Sequence, residues 1–334
     1  MTIHKGALAP KNDKEEPQMK KLLTLVLALA LVLTSVAALA EWPERSIELI
    51  VPANPGGDTD ANARALAAAL NETMGWNVIV SNMNGGSGAV SFDNLLENPD
   101  EGYRFVFYHS GGTIAQLMGM YEYSITDDFK LVGLPFMDYS SAFLSNSQNE
   151  KFNDIPSLVA YMKEHPGEVT FATETGNFTH LHALAFQDAA GVEFAIVDAG
   201  TAAQKITELL GNRLDIIDTQ AGLVRDYLAT GEFVNLGIMA EEKIAGHDEL
   251  LTIKEQGYDV VFPKYFYIAA PITMDDAIVA AFNEALNTVQ ANAGLQEYAS
   301  TALVNVTNMA PADTVSYIKE QEQVYLGYLA DYIE

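Results

Sequence analysis

The chain has 334 residues and no cysteine, and its 45 Asp and Glu greatly outnumber its 18 Lys and Arg. The first 40 residues hold five lysines and three acids, so the remainder has 13 basic and 42 acidic residues and a net charge of −29. That charge argues against nucleic acid or an anionic membrane surface as a partner. The 49% hydrophobic content argues against a disordered acidic chain.

The N-terminus has the pattern of a secretory signal. Lys20-Lys21 precede an apolar run over residues 22–33, and Ala38-Leu39-Ala40 matches a small-x-small cleavage site. We expect export and cleavage after Ala40, with Met19 as an alternative translation start. An uncleaved membrane anchor is the other reading, because the segment nearly reaches spanning length. No cysteine follows the apolar run, which excludes lipoprotein attachment.

Residues 47–64 are the most informative segment after the signal. An apolar strand over Ile47–Val51 breaks at prolines and passes through Gly56-Gly57. It then enters an Ala-rich helix that is expected to begin near Asp58 to Asp60 and to cover residues 61–74. A strand that turns through glycines into a helix N-terminus presents unpaired N–H groups at the positive end of the helix dipole. The segment therefore predicts a site for an anion such as a carboxylate. An ordinary tight turn that requires positive φ is the alternative.

Strand-like and helix-like segments alternate along the next hundred residues. Expected strands cover residues 78–81, 104–108, 131–135 and 141–144, and an expected helix covers 90–97. The glycine loop at 85–88 faintly resembles a dinucleotide turn, but the full spacing and a Walker-type lysine are absent. We therefore expect a structural loop there.

The second half of the chain repeats this alternation. Expected helices cover residues 155–165, 181–190, 202–210, 277–291 and 314–332, and expected strands cover 169–172, 194–197, 214–218, 236–239 and 265–270. The pattern indicates an α/β fold. Because ligands of such folds bind at the carboxyl ends of strands, two units of this kind facing each other would make a ligand cleft.

The ordered motifs of the chain resemble the substrate-binding receptors of tripartite tricarboxylate transporters, the Bug family of periplasmic binding proteins. The resemblance covers about residues 42–320. It rests on W-P-E-R and I-E-L-I-V-P-A-N-P-G-G-D-T-D-A-N-A-R from residue 42, P-D-E-G-Y at 99–103, L-L-G-N-R-L-D at 209–215 and Y-F-Y-I-A-A-P at 265–271. Any one of these motifs is weak, whereas the ordered set is specific.

The resemblance implies a two-domain α/β fold of the periplasmic binding protein (Venus-flytrap) type, with the ligand cleft between the domains. Residues 1–40 would be the N-terminal extension and signal peptide, 41–140 with 266–334 domain 1, and 141–265 domain 2. It implies a monomeric periplasmic receptor, without cofactor, metal or catalysis. Such a receptor captures a small organic acid by hinge closure and delivers it to the permease subunits of a tripartite transporter.

The resemblance also supplies candidate ligand-binding residues in loops of both domains. Backbone N–H groups and bound waters, rather than basic side chains, are expected to hold the carboxylate. The first-domain candidates are Asn54, Pro55, Gly56, Gly57, Thr59, Asp60, His109, Ser110, Gly111, Gly112 and Thr113. The second-domain candidates are Thr175, Gly176, Asn177, Phe178, Thr179, His180, Asp198, Ala199 and Gly200.

Three departures from the family pattern leave the identity of the ligand open. Asp198-Ala199-Gly200 replaces a common Tyr-Lys-Gly segment, Tyr265 stands where Trp is common, and Tyr267 where Gly is common. Asp198 could receive an amine or hydroxyl of the ligand, or could cap the helix at 202–210.

Several polar side chains near the expected site could have a structural role as well as a ligand-binding role. For Asp58 and Asp60 we favour helix capping or water mediation, because an ionised carboxylate repels a carboxylate ligand. His180 could contact the ligand, whereas we expect His182 to serve in packing. Arg64 could steer an anion, but its helical position favours pairing with a nearby acid.

Two other classes of function stay open at the level of sequence. One is a secreted α/β hydrolase or isomerase that acts on a small acid, and the other is a ligand-sensing module for a membrane kinase. The sequence has no nucleophile elbow, paired Cys/His metal spacing or phosphate loop to support an enzyme.

Overall fold

A computed structural model describes residues 42–100 and 102–330; the predicted signal segment and its cleavage site lie outside them. The strands are β1 (Ile47–Val51), β2 (Val78–Asn82), β3 (Arg104–His109), β4 (Phe129–Asp138), β5 (Ser141–Asn146), β6 (Thr170–Thr173), β7 (Ala195–Asp198), β8 (Ile216–Gln220), β9 (Phe233–Ile238), β10 (Lys264–Pro271) and β11 (Val304–Val306). The helices are α1 (Asp58–Met74), α2 (Ala89–Glu97), α3 (Gly111–Leu117), α4 (Ile155–Glu164), α5 (Phe178–Ala190), α6 (Ala202–Leu210), α7 (Arg225–Thr230), α8 (Asp276–Val289), α9 (Ala293–Ala302) and α10 (Pro311–Leu329). Short 3-10 turns cover Gly86–Gly88 and Ala221–Val224.

The strands form two mixed sheets, and both belong to the one compact unit that begins at Arg45. Sheet 1 has the order β11-β4-β10-β3-β1-β2, in which β1 is parallel to β2 and β3, and β10 is antiparallel to β3 and β4. Sheet 2 has the order β7-β6-β8-β5-β9, in which β6 is parallel to β7 and β8, and β5 is antiparallel to β8 and β9. The expected α/β architecture is confirmed.

The chain passes between the sheets twice. The first crossing is the pair Tyr139-Ser140, between the end of β4 and the start of β5. The second is the segment 239–263, which leads from β9 in sheet 2 to β10 in sheet 1. The domain boundaries placed after residues 140 and 265 stay a prediction.

Buried Asp138 shapes the first crossing. Its Oδ1 accepts hydrogen bonds from both the N–H and the hydroxyl of Ser140, each at 2.7 Å. The carbonyl of Ser140 in turn accepts from the N–H of Ala221, at 3.0 Å, at the end of β8. Side-chain hydrogen bonds therefore fix the shape of the turn out of sheet 1, and a backbone hydrogen bond joins the turn to sheet 2.

Aromatic side chains fill the core on both sheets. In sheet 1, Phe107 stacks on Phe266 with ring centroids 5.6 Å apart, and both are fully buried. In sheet 2, Phe143 packs edge-on against Phe171 at 4.9 Å and is equally buried. Truncating one such ring to alanine typically costs about 3–5 kcal/mol. These contacts give each sheet a rigid face from which loops can project.

Most predicted elements are present, but several helices begin earlier than expected. Helix α1 starts at Asp58, within the expected range of 58–60, and α5 starts at Phe178 rather than residue 181. Both starts follow from the preceding residues, Gly57 and Asn177, which take the extended conformation of an N-cap.

The segment Gly111-Gly112, expected as a loop, opens helix α3. A Cβ on Gly112 would overlap the hydroxyl of Tyr267, so glycine at this position lets the start of α3 pack closely against β10. Helices α7 and α9 and strand β11 were not predicted.

No helix in the described part of the chain is both long and apolar enough to cross a membrane.

Candidate ligand-binding site

A cavity lies between the two sheets, where strand ends and helix N-termini meet. Its volume is about 40 Å³, which is room for roughly three water molecules. We call one side the sheet-1 wall; it consists of Pro52, Ala53, Gly57, Asp58, Thr59, His109 and Lys264. The other side is the sheet-2 wall, which consists of Ser141, Glu174, Asn177, Phe178, Thr179, Gly200, Thr201, Ala202, Lys205, Asp218 and Thr219.

Three helices begin at this cavity. Helix α1 follows Gly57, α5 follows Asn177 and α6 follows Thr201, and all three N-caps line the cavity. The N-terminus of a helix carries a partial positive charge and exposes N–H donors. Three of them around one small volume favour an anion there.

A buried ion pair occupies the sheet-1 wall. Lys264 Nζ, at the start of β10, contacts the carboxylate of Asp58 in the first turn of α1. Burial acts to raise the pKa of Asp58, but the Lys264 charge and hydrogen bond outweigh it and hold that pKa well below its usual range. The ammonium group also lies 5.4 Å from the ring centre of Phe266 and 5.8 Å from that of Phe178.

His109 lies beside this pair as a neutral imidazole. Burial and the nearby Lys264 charge lower its pKa well below the usual value. Its Nδ1 accepts the N–H of Gly111 at 2.9 Å, so the proton of the neutral ring resides on Nε2. His109 is therefore a hydrogen-bond donor in the sheet-1 wall.

Lys205 is the cation of the sheet-2 wall. It lies in α6, is 3% exposed, and donates to the Asp218 carbonyl at 2.7 Å and to Thr179 Oγ1 at 3.3 Å. Burial lowers the pKa of Lys205 to about 8, against the opposing effect of Asp218. The Asp218 carboxylate is bonded elsewhere, to Ser141 Oγ at 2.6 Å and to His182 Nδ1.

Glu174 in the sheet-2 wall accepts a hydrogen bond from a neutral amide group. Its Oε2 accepts a hydrogen bond from Asn177 Nδ2 at 3.1 Å. Burial raises the pKa of Glu174, and the Lys205 charge opposes that rise. Asn177 meanwhile caps α5, because its Oδ1 accepts the N–H of Phe178.

Three hydrogen bonds join elements of the two sheets beside the cavity. Asn177 Nδ2 donates to Tyr108 Oη at 2.9 Å. Ser87 Oγ donates to the Thr175 carbonyl at 2.8 Å. Asn54 Nδ2 donates to Gln204 Oε1 at 3.1 Å. We call these the bridging hydrogen bonds.

The structure brings some of the predicted residues together at the cavity and places others around it. Those that line it are Gly57, Thr59, His109, Asn177, Phe178, Thr179 and Gly200. Those that do not are Asn54, Pro55, Gly56, Asp60, Ser110, Gly111, Gly112, Thr113, Thr175, Gly176, His180, Asp198 and Ala199.

Asp58 and Asp60 are not helix caps, which corrects the sequence-based preference. The N-cap of α1 is Gly57, which has no side chain, and Asp58 Oδ1 accepts the N–H of the adjacent Thr59 at 2.8 Å from within the helix. Asp60 instead pairs with Arg64 at 2.9 Å and accepts the N–H of Gly56 at 3.0 Å. The expected pairing of Arg64 with a nearby acid is confirmed.

The positive φ expected in the glycine turn falls on only one of its two residues. Gly56 has φ +87°, whereas Gly57 has φ −86°. A Cβ on Gly57 would lie 3.7 Å from that of Ala202 in the facing wall, an ordinary contact. Gly57 therefore needs no special backbone conformation, and a methyl group there would just touch the facing wall.

Asp198 and His180 hold loops in place. Asp198 is exposed and accepts the N–H groups of Thr175 and Gly200, each at 3.2 Å. The cap of α6 is Thr201, so the capping alternative for Asp198 is wrong. His180 Nδ1 accepts the N–H of Gly176 at 3.1 Å.

The sequence reasoning missed both lysines of the cavity. Lys264 stands alone in an apolar run, between Phe262-Pro263 and Tyr265-Phe266. Lys205 lies four residues before buried Leu209, on the inward face of α6. A lysine at an apolar position was the available signal, since lysine is rarely buried without a partner.

Within the described residues, no group of three or more His, Cys, Asp or Glu is placed so that it could hold a metal ion.

Comparison with known proteins identifies the family. The sequence profile described as "Tripartite tricarboxylate transporter family receptor" matches residues 62–326. The chain belongs to this family. A relative of this receptor is Protein BugT from Bordetella pertussis, which is 26% identical over 87% of this chain and 90% of its own length. Another, a UPF0065 protein from Agrobacterium vitis, is 28% identical over 84% of this chain and 82% of its own length.

Solved structures share the receptor's fold. The periplasmic binding protein BugD superposes with a TM-score of 0.81 at 22% identity, covering 87% of this chain and 98% of that one. MatC from Rhodopseudomonas palustris, solved with bound malate, gives a TM-score of 0.80 at 20% identity, covering 86% of this chain and 100% of that one. A second R. palustris protein, solved with adipate, superposes with a TM-score of 0.79 at 22% identity, covering 86% of this chain and 97% of that one. The fold is that of a periplasmic binding protein.

Proposed function

We propose that the chain is an extracytoplasmic solute receptor that binds a small carboxylate between its two sheets and delivers it to a tripartite tricarboxylate-type permease. One observation carries the proposal: buried lysines from both walls and three helix N-termini meet at one cavity. Membership of the receptor family and fold relatives solved with malate and adipate support it.

The proposed mechanism is closure of two domains over the ligand. We assign residues 41–140 with 266–334 to one domain and 141–265 to the other. The ligand binds one wall first, and donors of the other wall complete the carboxylate cage. Lys205 joins the predicted contacts Gly57, Thr59, His109, Asn177, Phe178, Thr179 and Gly200, whereas Lys264 is paired with Asp58 in the sheet-1 wall. The remaining predicted residues hold the loops that carry them.

A thermal-shift screen tests the binding function. The full chain is heated with dicarboxylates, tricarboxylates, amino acids and aromatic acids, and a specific acid should raise Tm in a concentration-dependent way. If no acid raises Tm while a chromogenic ester or amide is turned over, the receptor proposal is wrong.

The secreted hydrolase or isomerase is the second candidate function. The serine in the cavity wall does not favour it, because Ser141 Oγ donates to Asp218 rather than to an imidazole. His182 Nδ1 bonds to the other oxygen of the same carboxylate. A serine activated for nucleophilic attack would donate to the base itself.

Export is the part of the proposal that rests on residues 1–41. We expect the protein in the periplasm of an expressing cell, with Glu41 as its first residue. Intact-mass measurement on the periplasmic fraction tests this, and a mass that includes residues 19–40 would favour the membrane-anchor alternative. The sensor alternative predicts a kinase rather than a permease in a cross-linked complex.

A further inference from the structure

Two charged side chains of the sheet-2 wall have no oppositely charged partner within the described residues. Lys205 Nζ bonds to a carbonyl and a hydroxyl, and Glu174 bonds to an amide. Among residues 42–100 and 102–330, neither forms an ion pair within 4.0 Å, whereas Asp58 pairs with Lys264 and Asp218 is hydrogen-bonded to His182. The cavity therefore presents one unpaired cation and one unpaired anion.

These two charges are close to one another but not in contact. Burial raises the pKa of Glu174 and lowers that of Lys205, and the charge of each residue opposes the shift of the other. Their separation exceeds the 4.0 Å limit of an ion pair, and both line the same cavity of about 40 Å³. Both side chains therefore face the volume in which the proposed ligand binds.

Burial of Lys205 and partial burial of Glu174 make both charges costly in the absence of a ligand. A buried charge is tolerated when an opposite charge or several hydrogen bonds compensate its lost hydration. Burial disfavours the charged form of each group, as the directions of both pKa shifts indicate. A ligand with a carboxylate and an ammonium group would compensate both charges at once.

Resting on the proposed function, we propose that the ligand is a small amino acid, whose carboxylate binds Lys205 and whose ammonium group binds Glu174. A hydroxy acid would donate one hydrogen bond to Glu174 without neutralising it. A dicarboxylate would place a second negative charge against Glu174. The order of affinity is therefore amino acid, then hydroxy acid, then unsubstituted acid.

Two matched ligand series test this order by calorimetry on the full chain: aspartate, malate and succinate, and alanine, lactate and propionate. Within a series, the ligands differ only in the group on one carbon. The amino acid of the better-binding series should bind roughly tenfold or more tightly than its hydroxy acid. Equal or tighter binding of the hydroxy acid or the unsubstituted acid would overturn the inference.

Two variants assign the roles of the side chains. Glu174→Gln should remove most of the preference for the amino acid while the hydroxy acid still binds. Lys205→Met should weaken all members of a series by a similar factor, because the carboxylate is common to them. Glu164→Gln and Lys163→Met, both at exposed positions, are the matched controls. A Glu174→Gln protein that is folded by circular dichroism and keeps the full preference would contradict the assignment.

The outcomes separate this inference from the proposed function. If acids bind but amino acids have no advantage, only the amino-acid inference is wrong. If neither acids nor amino acids bind at millimolar concentration, the receptor function itself is wrong.

Discussion

The two walls of the cavity each present a buried lysine, and the lysines differ in what surrounds them. Lys264 in the sheet-1 wall contacts the carboxylate of Asp58 and lies near two aromatic rings. Lys205 in the sheet-2 wall bonds to a carbonyl and a hydroxyl, and its pKa is lowered to about 8 by burial. The sheet-1 wall is electrostatically complete before a ligand arrives, whereas the sheet-2 wall is not.

This difference separates a structural charge from a functional one. Removing one partner of a buried pair leaves an uncompensated charge and destabilises the fold, whereas removing a charge that lacks a partner relieves a cost. The same substitution of the two lysines should therefore affect stability at one wall and binding at the other.

The largest effect is expected for Lys264→Met. The variant leaves Asp58 buried without its cation and should lose about 3–5 kcal/mol in the free energy of unfolding, measured by urea denaturation. Adding Asp58→Asn to Lys264→Met should restore part of this loss, because the uncompensated charge is gone. A single variant that loses less than about 1 kcal/mol would show that the pair does not stabilise the sheet-1 wall.

Asp138 is a second buried acid near Lys264, because the two residues lie opposite each other in the sheet register. Unlike Asp58, it accepts its hydrogen bonds from Ser140. Burial raises its pKa to about 7, so the folded state keeps a proton that the unfolded state releases near pH 4. Stability from this group is therefore present at low pH and is lost as pH rises toward about 7. From about pH 5.5 to about pH 8, the loss should be about 2 kcal/mol.

The variant Asp138→Asn tests whether Asp138 causes this decrease in stability with rising pH. It keeps the acceptor for Ser140 and removes the titratable group. Its free energy of unfolding should lack this decrease with pH, whereas the exposed-site control Asp188→Asn should retain it. Parallel pH profiles for Asp138→Asn and the unmodified chain would show that Asp138 is ionised throughout.

Two glycines, one before helix α1 and one before helix α5, give a smaller contrast. Gly176 has φ +73°, and a Cβ there would overlap Met120 Sδ, whereas Gly57 has φ −86° and room for a methyl group. Gly176→Ala should cost about 1–2 kcal/mol, and Gly57→Ala should be close to neutral. Comparing their urea midpoints tests this; equal costs would mean that the strain at Gly176 is relieved by movement of Met120. The larger Gly57→Val should close the gap to Ala202 and abolish ligand-induced stabilisation.

The smallest effect on stability is expected for Lys205→Met. Because no carboxylate of the described residues pairs with this lysine and its charged form is disfavoured by burial, the free energy of unfolding should change by less than about 1 kcal/mol. Denaturation measured beside Lys264→Met provides the comparison. A loss as large as that of Lys264→Met would remove the distinction between the walls.

Local patterns predicted the sheets and most helices, because strand runs such as Ile47–Val51 and the inward face of α6 repeat with the periods of their elements. The candidate site was harder to predict, because its charges come from distant parts of the chain. Asp58 and Lys264 are 206 residues apart, and no local pattern relates them. The expectation that backbone groups alone would hold the carboxylate overlooked lysines at apolar positions.

The bridging hydrogen bonds have a consequence for the speed of binding. A cavity with room for roughly three water molecules must widen to admit an organic acid, and we expect the bonds from Asn177 to Tyr108 and from Ser87 to Thr175 to break as it does. The protein's own opening then precedes capture, so the observed rate of association should level off at high ligand concentration. The plateau would be the same for every ligand, because it is a property of the empty receptor.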